Sequence, residues 1–150
     1  MRREARLGEA VILYDEGGHW KGLGTAWHLA DLGHRVTLVT PDAVVGRDLA
    51  RTAADGAARM ALARRGVRFL TEHAIAEWLG NGAGARLTSL LTGAEETVPA
   101  SALVMATTNR AFDPLSGDLA ALAPALIGDA AAPRLAPFAF HEGRRIARDL

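Results

Sequence analysis

The sequence predicts an α/β domain: a parallel sheet with helices, into which an antiparallel meander is inserted before the last parallel strand. Three observations lead there. Short apolar or β-branched runs near residues 10–14, 35–40, 67–70 and 102–106 have the composition of strands buried on both faces. Leu23, Ala26, Trp27 and Ala30 fall at i, i+3, i+4 and i+7, one face of a helix, between the first two runs. Between residues 74 and 99, short segments are punctuated by Asn81-Gly82 and Thr92-Gly93, both hairpin signals. A chain of 150 residues with 49% hydrophobic content is about one domain long and has ample material for a core.

The elements follow in order. Ala10 to Tyr14 is the first strand, and it ends in Asp15-Glu16-Gly17-Gly18. The helix that follows closes at Gly33, where a left-handed residue is needed. Arg35 to Thr40 is the second strand, stopped by Pro41. Strand, glycine-rich turn, helix and strand within about 30 residues make a βαβ unit, and the domain is expected to be Rossmann-like with three layers. Residues 46–65 are expected as one alanine- and arginine-rich helix ended by Gly66, although Gly56 within it costs about 1 kcal/mol relative to alanine. Val67 to Leu70 is the third strand, and Ala74–Leu79, Ala85–Leu91 and Glu95–Pro99 form the meander. Ala102 to Ala106 returns to the buried-strand pattern. Beyond it the chain reads as loop up to Ala125-Leu126-Ile127, which runs into Gly128-Asp129. Pro133 to Leu150 reads as a helix, with Pro137 in or before its first turn.

Composition excludes several functions. Seventeen basic residues balance seventeen acidic ones, so the electrostatic footprint of a nucleic-acid binder is missing. With no cysteine, the chain offers no disulfide, thiol nucleophile or thiolate ligand for zinc or an iron–sulfur cluster. No run approaches the roughly 18 apolar residues of a membrane span, and the basic start (Arg2, Arg3, Arg6) is followed by no signal-peptide core. A cytoplasmic location without a membrane partner is the expectation.

The turn after the first strand carries the chemistry. In a dinucleotide-binding βαβ unit, one glycine makes the turn, a second lets backbone approach the pyrophosphate, and a third lets helix and strand pack closely. Counting back from Gly33 puts Gly22 third, Gly17 first and His19 second, with Gly18 between. The turn is thus one glycine short, carries a ring at the closest-approach position, and follows the apolar run by two extra residues. Thr40 stands where an acidic residue would bind the adenosine ribose. Gly17, Gly18, Gly22 and Thr40 are therefore the candidate cofactor contacts, for a phosphate seated at a helix N-terminus. The competing reading is a Rossmann-like scaffold without that ligand. Lys21 either adds a charge for the phosphate or is solvated.

Three stretches together are similar to a known family. They are Val11 to Ala26 through Asp15-Glu16-Gly17-Gly18-His19-Trp20, Gly33 to Pro41, and Ile127-Gly128-Asp129-Ala130 with Ala132-Pro133-Arg134 and Glu142 to Arg148. Over nearly its whole length the chain resembles the C-terminal region of the old-yellow-enzyme-like NADH:flavin oxidoreductases, which include trimethylamine dehydrogenase, histamine dehydrogenase and 2,4-dienoyl-CoA reductase. The resemblance implies a (β/α)₈ barrel elsewhere that carries FMN and a cysteine-bound 4Fe–4S cluster. Residues 1–106 would correspond to an NAD(P)H-type domain and 107–150 to the returning segment of an FAD-type domain. Because His19 and Thr40 depart from the fingerprint, FAD, ADP or NAD(P)H is expected to bind this chain weakly at most. Asp129 matches the carboxylate that such flavoproteins place on a ribityl or ribose hydroxyl; otherwise it caps the turn that follows. Arg134 reaches a phosphate or an adjoining domain, or is solvated. Thr107 to Arg110 matches the crossing between the two domains.

No other constellation rises to a site. The histidines (His19, His28, His34, His73, His141) lack metal-site spacing, and Ser89, Ser101 and Ser116 lack a nucleophile-elbow context. Trp27 reads as core and Trp20 as an exposed interface residue. Two functions follow. One is a non-catalytic, nucleotide-binding-type module of an FMN/iron–sulfur flavoenzyme acting on amines or enoyl substrates, completed by the barrel and FAD-type half or by a second copy of itself. The other is a non-enzymatic, degenerate Rossmann module that docks a subunit or an electron carrier.

Overall fold

The computed structural model describes residues 7–149 and divides them into two compact units, the first ending at Thr107 and the second beginning at Thr108. The first unit runs β1 (Ala10–Asp15), α1 (Trp20–Asp31), β2 (Arg35–Val39), a 3-10 turn (Arg47–Thr52), α2 (Asp55–Arg64) and β3 (Arg68–Leu70). Then come β4 (His73–Gly80), β5 (Gly84–Ser89), β6 (Glu95–Val98) and β7 (Ala102–Ala106). Parallel strands in the order β3-β2-β1-β7 form one sheet, and antiparallel β4-β5-β6 form the other. Val11 pairs with Val36 on one side and with Ala102 on the other. The α/β fold, the four parallel strands and the meander are those that the sequence predicts.

Strand order explains which layer goes where. Parallel crossovers are right-handed, so β1, β2 and β3, stepping in one direction, place α1 and α2 on one face. The connection from β3 to β7 steps back the other way and must cover the opposite face. The meander is that connection. Alternation along the strands serves both layers. Val11, Leu13, Val36 and Leu38 pack with Leu23, Ala26 and Leu29 of α1 and with Ala58 and Leu62 of α2. Ile12, Tyr14 and Val39 face Ala85, Leu87, Val98 and Ala100 of the meander side. At the start of β1, Ser101 closes the sheet: its amide and hydroxyl both donate to the Ala10 carbonyl, at 2.8 and 2.7 Å.

Helix α1 ends as expected. Gly33 has φ +87°, its amide bonds the Ala30 carbonyl, and His34 bonds Leu29, the paired bonds of a Schellman motif. Trp27 packs on the core with the Arg65 guanidinium 4.2 Å over its ring, while Trp20 is exposed.

Residues 46–65 are not one helix. Leu49 and Ala58 are both buried, yet nine residues are two and a half helical turns and would put them on opposite sides. The chain breaks instead at Thr52–Ala54. Ala53 is left-handed (φ 54°), the Thr52 hydroxyl donates to the Leu49 carbonyl at 3.1 Å, and both halves then reach the core.

The second unit holds 3-10 turns at Ala120–Leu122 and Gly128–Ala130 and the helix α3 (Ala136–Asp149), with Pro137 in its first turn. The strand that the resemblance implies before Gly128-Asp129 is not formed. Ile127 has extended backbone (φ −137°, ψ 161°), but no strand pairs with it among the described residues. None of α3's described side chains is buried. Among the described residues, no helix is long and apolar enough to cross a membrane.

Candidate functional site

In an open parallel sheet, ligands bind beyond the carboxyl ends of the strands where the order reverses. Here that point lies between β1 and β7, beside the N-terminus of α1, and it brings Gly17, Gly18 and Gly22 together. Lys21 crosses it: its Nζ donates to the Thr107 carbonyl at 2.5 Å, and the Glu16 amide bonds Ala106.

Asp15 occupies the centre. It is the last residue of β1, and alternation carries it to the helix-facing side after Val11 and Leu13. It is 1% exposed. Its Oδ1 accepts from the amides of Gly17 and Gly18, both at 3.2 Å, while Oδ2 is buried without a partner. Burial pushes the Asp15 carboxyl above the ordinary aspartate range. The amides of Gly18 and Gly17 and the nearby His19 oppose that rise, and the Asp42 charge adds to it.

Each glycine of the turn makes room for part of the chain itself. A Cβ on Gly22 would lie 2.2 Å from the Asp15 carboxyl carbon. On Gly17 it would lie 2.7 Å from the His19 imidazole, which folds over the turn while Nδ1 caps α1 by accepting from the Lys21 amide at 3.2 Å. Gly18 has φ +62°, and a Cβ there would lie 3.1 Å from the backbone nitrogen of Arg47. The segment after β2 thus rests on the turn: the Asp48 amide donates to the Gly18 carbonyl at 3.0 Å. Arg47 is ion-paired with Asp42.

Thr40, 1% exposed, is likewise committed to its own surroundings. Its hydroxyl accepts from the Asp42 amide at 3.2 Å, its amide bonds the Leu70 carbonyl, and its carbonyl accepts from His73. Asp129 and Arg134 belong to the second unit. Asp129 Oδ1 accepts from the Arg134 amide at 3.4 Å, a long, exposed contact between the 3-10 turn and the residues that precede α3. The Arg134 guanidinium is paired with Glu142 and lies 5.1 Å over the Phe138 ring. Glu142 also accepts from the Gly128 amide at 2.8 Å, and that bond, with Arg134, holds its carboxyl below the ordinary glutamate range.

The sequence reading missed Asp15 and the Asp42–Arg47 pair. A signal for the first was present: Asp15 continues the Val11, Leu13 alternation, and Gly22 stands in the first turn of α1, where a strand-end side chain would need space. Among the described residues, no group of three or more histidines and carboxylates converges as a metal site. A groove of about 330 Å³, lined by Arg35, Arg68, Val98 and Pro99 among others, lies at the opposite ends of the parallel strands.

Solved structures share this architecture. Histamine dehydrogenase from Rhizobium sp. 4-9 is similar over 96% of this chain, with 27% identity and a TM-score of 0.85. The 6-hydroxypseudooxynicotine amine oxidase from Pseudomonas geniculata N1 is similar over 93%, with 25% identity and a TM-score of 0.83. A 2-naphthoyl-CoA reductase shares the fold over 97%, at 24% identity and a TM-score of 0.76. The chain spans 23%, 22% and 22% of those three proteins. No protein-family model and no curated protein matched the chain.

Proposed function

From the premise that this chain matches the C-terminal-type region of the trimethylamine dehydrogenase and old-yellow-enzyme-like oxidoreductases, we propose that it is a non-catalytic structural module of a flavoprotein oxidoreductase. The reading rests on one observation: a likeness over 96% of this chain to a dehydrogenase of which the chain spans 23%. On this reading the enzyme is of the amine dehydrogenase or enoate/dienoyl reductase type and works in the cytoplasm. Residues 1–106 are its NAD(P)H-type domain and 107–150 the returning segment of its FAD-type domain. FMN and the 4Fe–4S cluster sit in a barrel outside this sequence, which supplies no cysteine for the cluster.

The residues at the glycine turn do not fit a dinucleotide. The amides of Gly17 and Gly18 bond to Asp15, the His19 ring takes the closest-approach position, and the Thr40 hydroxyl accepts from Asp42. Losing one charged hydrogen bond to ribose costs about 1.5–3 kcal/mol, roughly ten- to a hundredfold in affinity. NADH, NADPH and ADP are therefore expected to bind this chain with Kd no tighter than about 0.1 mM. Calorimetric titration checks this, and micromolar binding of a reduced nicotinamide cofactor would overturn it.

A second reading, a non-enzymatic docking module for a subunit or electron carrier, is favoured by the exposed apolar side chains of the second unit, such as Phe112, Leu122 and Phe140. The full open reading frame separates the two. A barrel with clustered cysteines encoded upstream in the same frame supports the first.

A further inference from the structure

We propose that the glycine turn is an anion cradle whose ligand is the chain's own Asp15 carboxylate, and that this internal ligand takes the place of a nucleotide phosphate. The proposal holds whether or not the chain works within a flavoenzyme.

Four features of the first unit carry it. Two successive amides, Gly17 and Gly18, converge on one oxygen, as the donors of an anion-binding nest do. The carboxylate lies beside the N-terminus of the 12-residue α1, whose first turn contains no acidic residue, so no acid of the helix itself competes with Asp15 for that positive end. The group is also sealed: Asp15 is 1% exposed and Oδ2 has no partner. A solvated capping aspartate would need no such enclosure. Finally, Gly22 is required by this carboxylate, since a Cβ there would meet Oδ1 at 2.4 Å and Oδ2 at 2.5 Å. The third glycine of the fingerprint here accommodates an anion built into β1.

A carboxylate and a phosphate cannot use the same two amides at once. While Asp15 is in place, the turn refuses pyrophosphate. Removing the side chain should leave a space for a small oxyanion of carboxylate size.

The test uses the full 150-residue chain, its Asp15→Ala and Asp15→Asn variants, and sodium formate as probe, with sodium chloride at equal ionic strength as control. Asp15→Ala is expected to melt below the wild type, and formate to raise its Tm by several degrees. Formate should also displace the amide resonances of Gly17 and Gly18 in that variant. The wild type and Asp15→Asn, which retains an acceptor oxygen, should not respond. A folded Asp15→Ala that ignores formate overturns the proposal, as does an equal response by the wild type. Should Asp15→Ala fail to fold, the other two proteins decide. Loss of the charge in Asp15→Asn is expected to move the Gly17 and Gly18 amide protons upfield together. Unmoved resonances, or displacement of the wild-type pair by ADP, would overturn the proposal. The formate and Asp15→Asn results do not depend on the affinity for NADH or ADP, so their failure is distinct from failure of the module reading.

Discussion

Asp15 and Gly22 constrain each other, and the constraint is measurable. Gly22→Ala forces a methyl group against the Asp15 carboxyl at 2.2 Å, inside a buried region that cannot yield cheaply. Overpacking of this kind costs about 1–3 kcal/mol. In an Asp15→Ala background the obstacle is gone, and the same substitution should cost little. Urea unfolding of the four proteins of this cycle should show a coupling above about 1 kcal/mol, and additive effects would contradict the contact. The pH dependence has a definite sign as well. Burial raises the folded-state pKa of Asp15 above its unfolded value, so the folded protein binds the extra proton in the window between them. The contribution of Asp15 to stability therefore falls as pH rises through that window and is regained on acidification. Asp15→Asn should remove this component, seen as a difference between the two proteins' stability-versus-pH curves. A constant difference across the acidic range would contradict the assignment.

At the scale of elements, glycines of similar backbone geometry should respond very differently. Gly84 opens β5 at φ +84°, and a Cβ there would lie 1.9 Å from the Val98 carbonyl oxygen and 2.6 Å from the Ala100 nitrogen. Gly82 and Gly93, at φ +88° and +73°, meet nothing within 4 Å. Alanine at those two turns should cost about 1–2 kcal/mol, from the left-handed backbone alone. Gly84→Ala should cost well beyond that, because backbone must move. Denaturant midpoints of the three variants check the ranking. The contrast also marks what was legible. Hairpins at Asn81-Gly82 and Thr92-Gly93 follow from turn chemistry, and β1, β2 and β7 from apolar runs buried on both faces. The break at Thr52–Ala54 was not legible, because alanine occupies so many positions from 50 to 63 that no apolar period locates it. Asp15 was passed over for another reason: a charge after an apolar run reads as the beginning of a turn, although it continues the Val11, Leu13 alternation, and the packing of Gly22 places it inside the strand. Ala125–Ile127 has strand composition, but a strand exists only where a partner offers its ladder.

Across the whole molecule, apolar exposure is concentrated after residue 107. Phe112, Leu122 and Phe140 are each more than three-quarters exposed, and Phe138 and Leu135 about half. Large apolar side chains left to solvent in this number mark an interaction surface or an aggregation liability where they adjoin. The isolated chain should therefore associate as concentration rises, and Phe138→Ser with Phe140→Ser should reduce that association. Light scattering that shows a monomer at all concentrations would contradict this.

The closure of the parallel sheet by Ser101 on Ala10 bears on how the chain reaches this fold. Those residues are 91 positions apart, so joining them directly carries a loop-closure entropy of about 4 kcal/mol. The hairpins of the meander lie inside that loop and form from near neighbours. Once they are made, the ends to be joined are already drawn together, so β7 is expected to dock late, and Ser101→Ala should speed unfolding more than it slows folding in stopped-flow measurements.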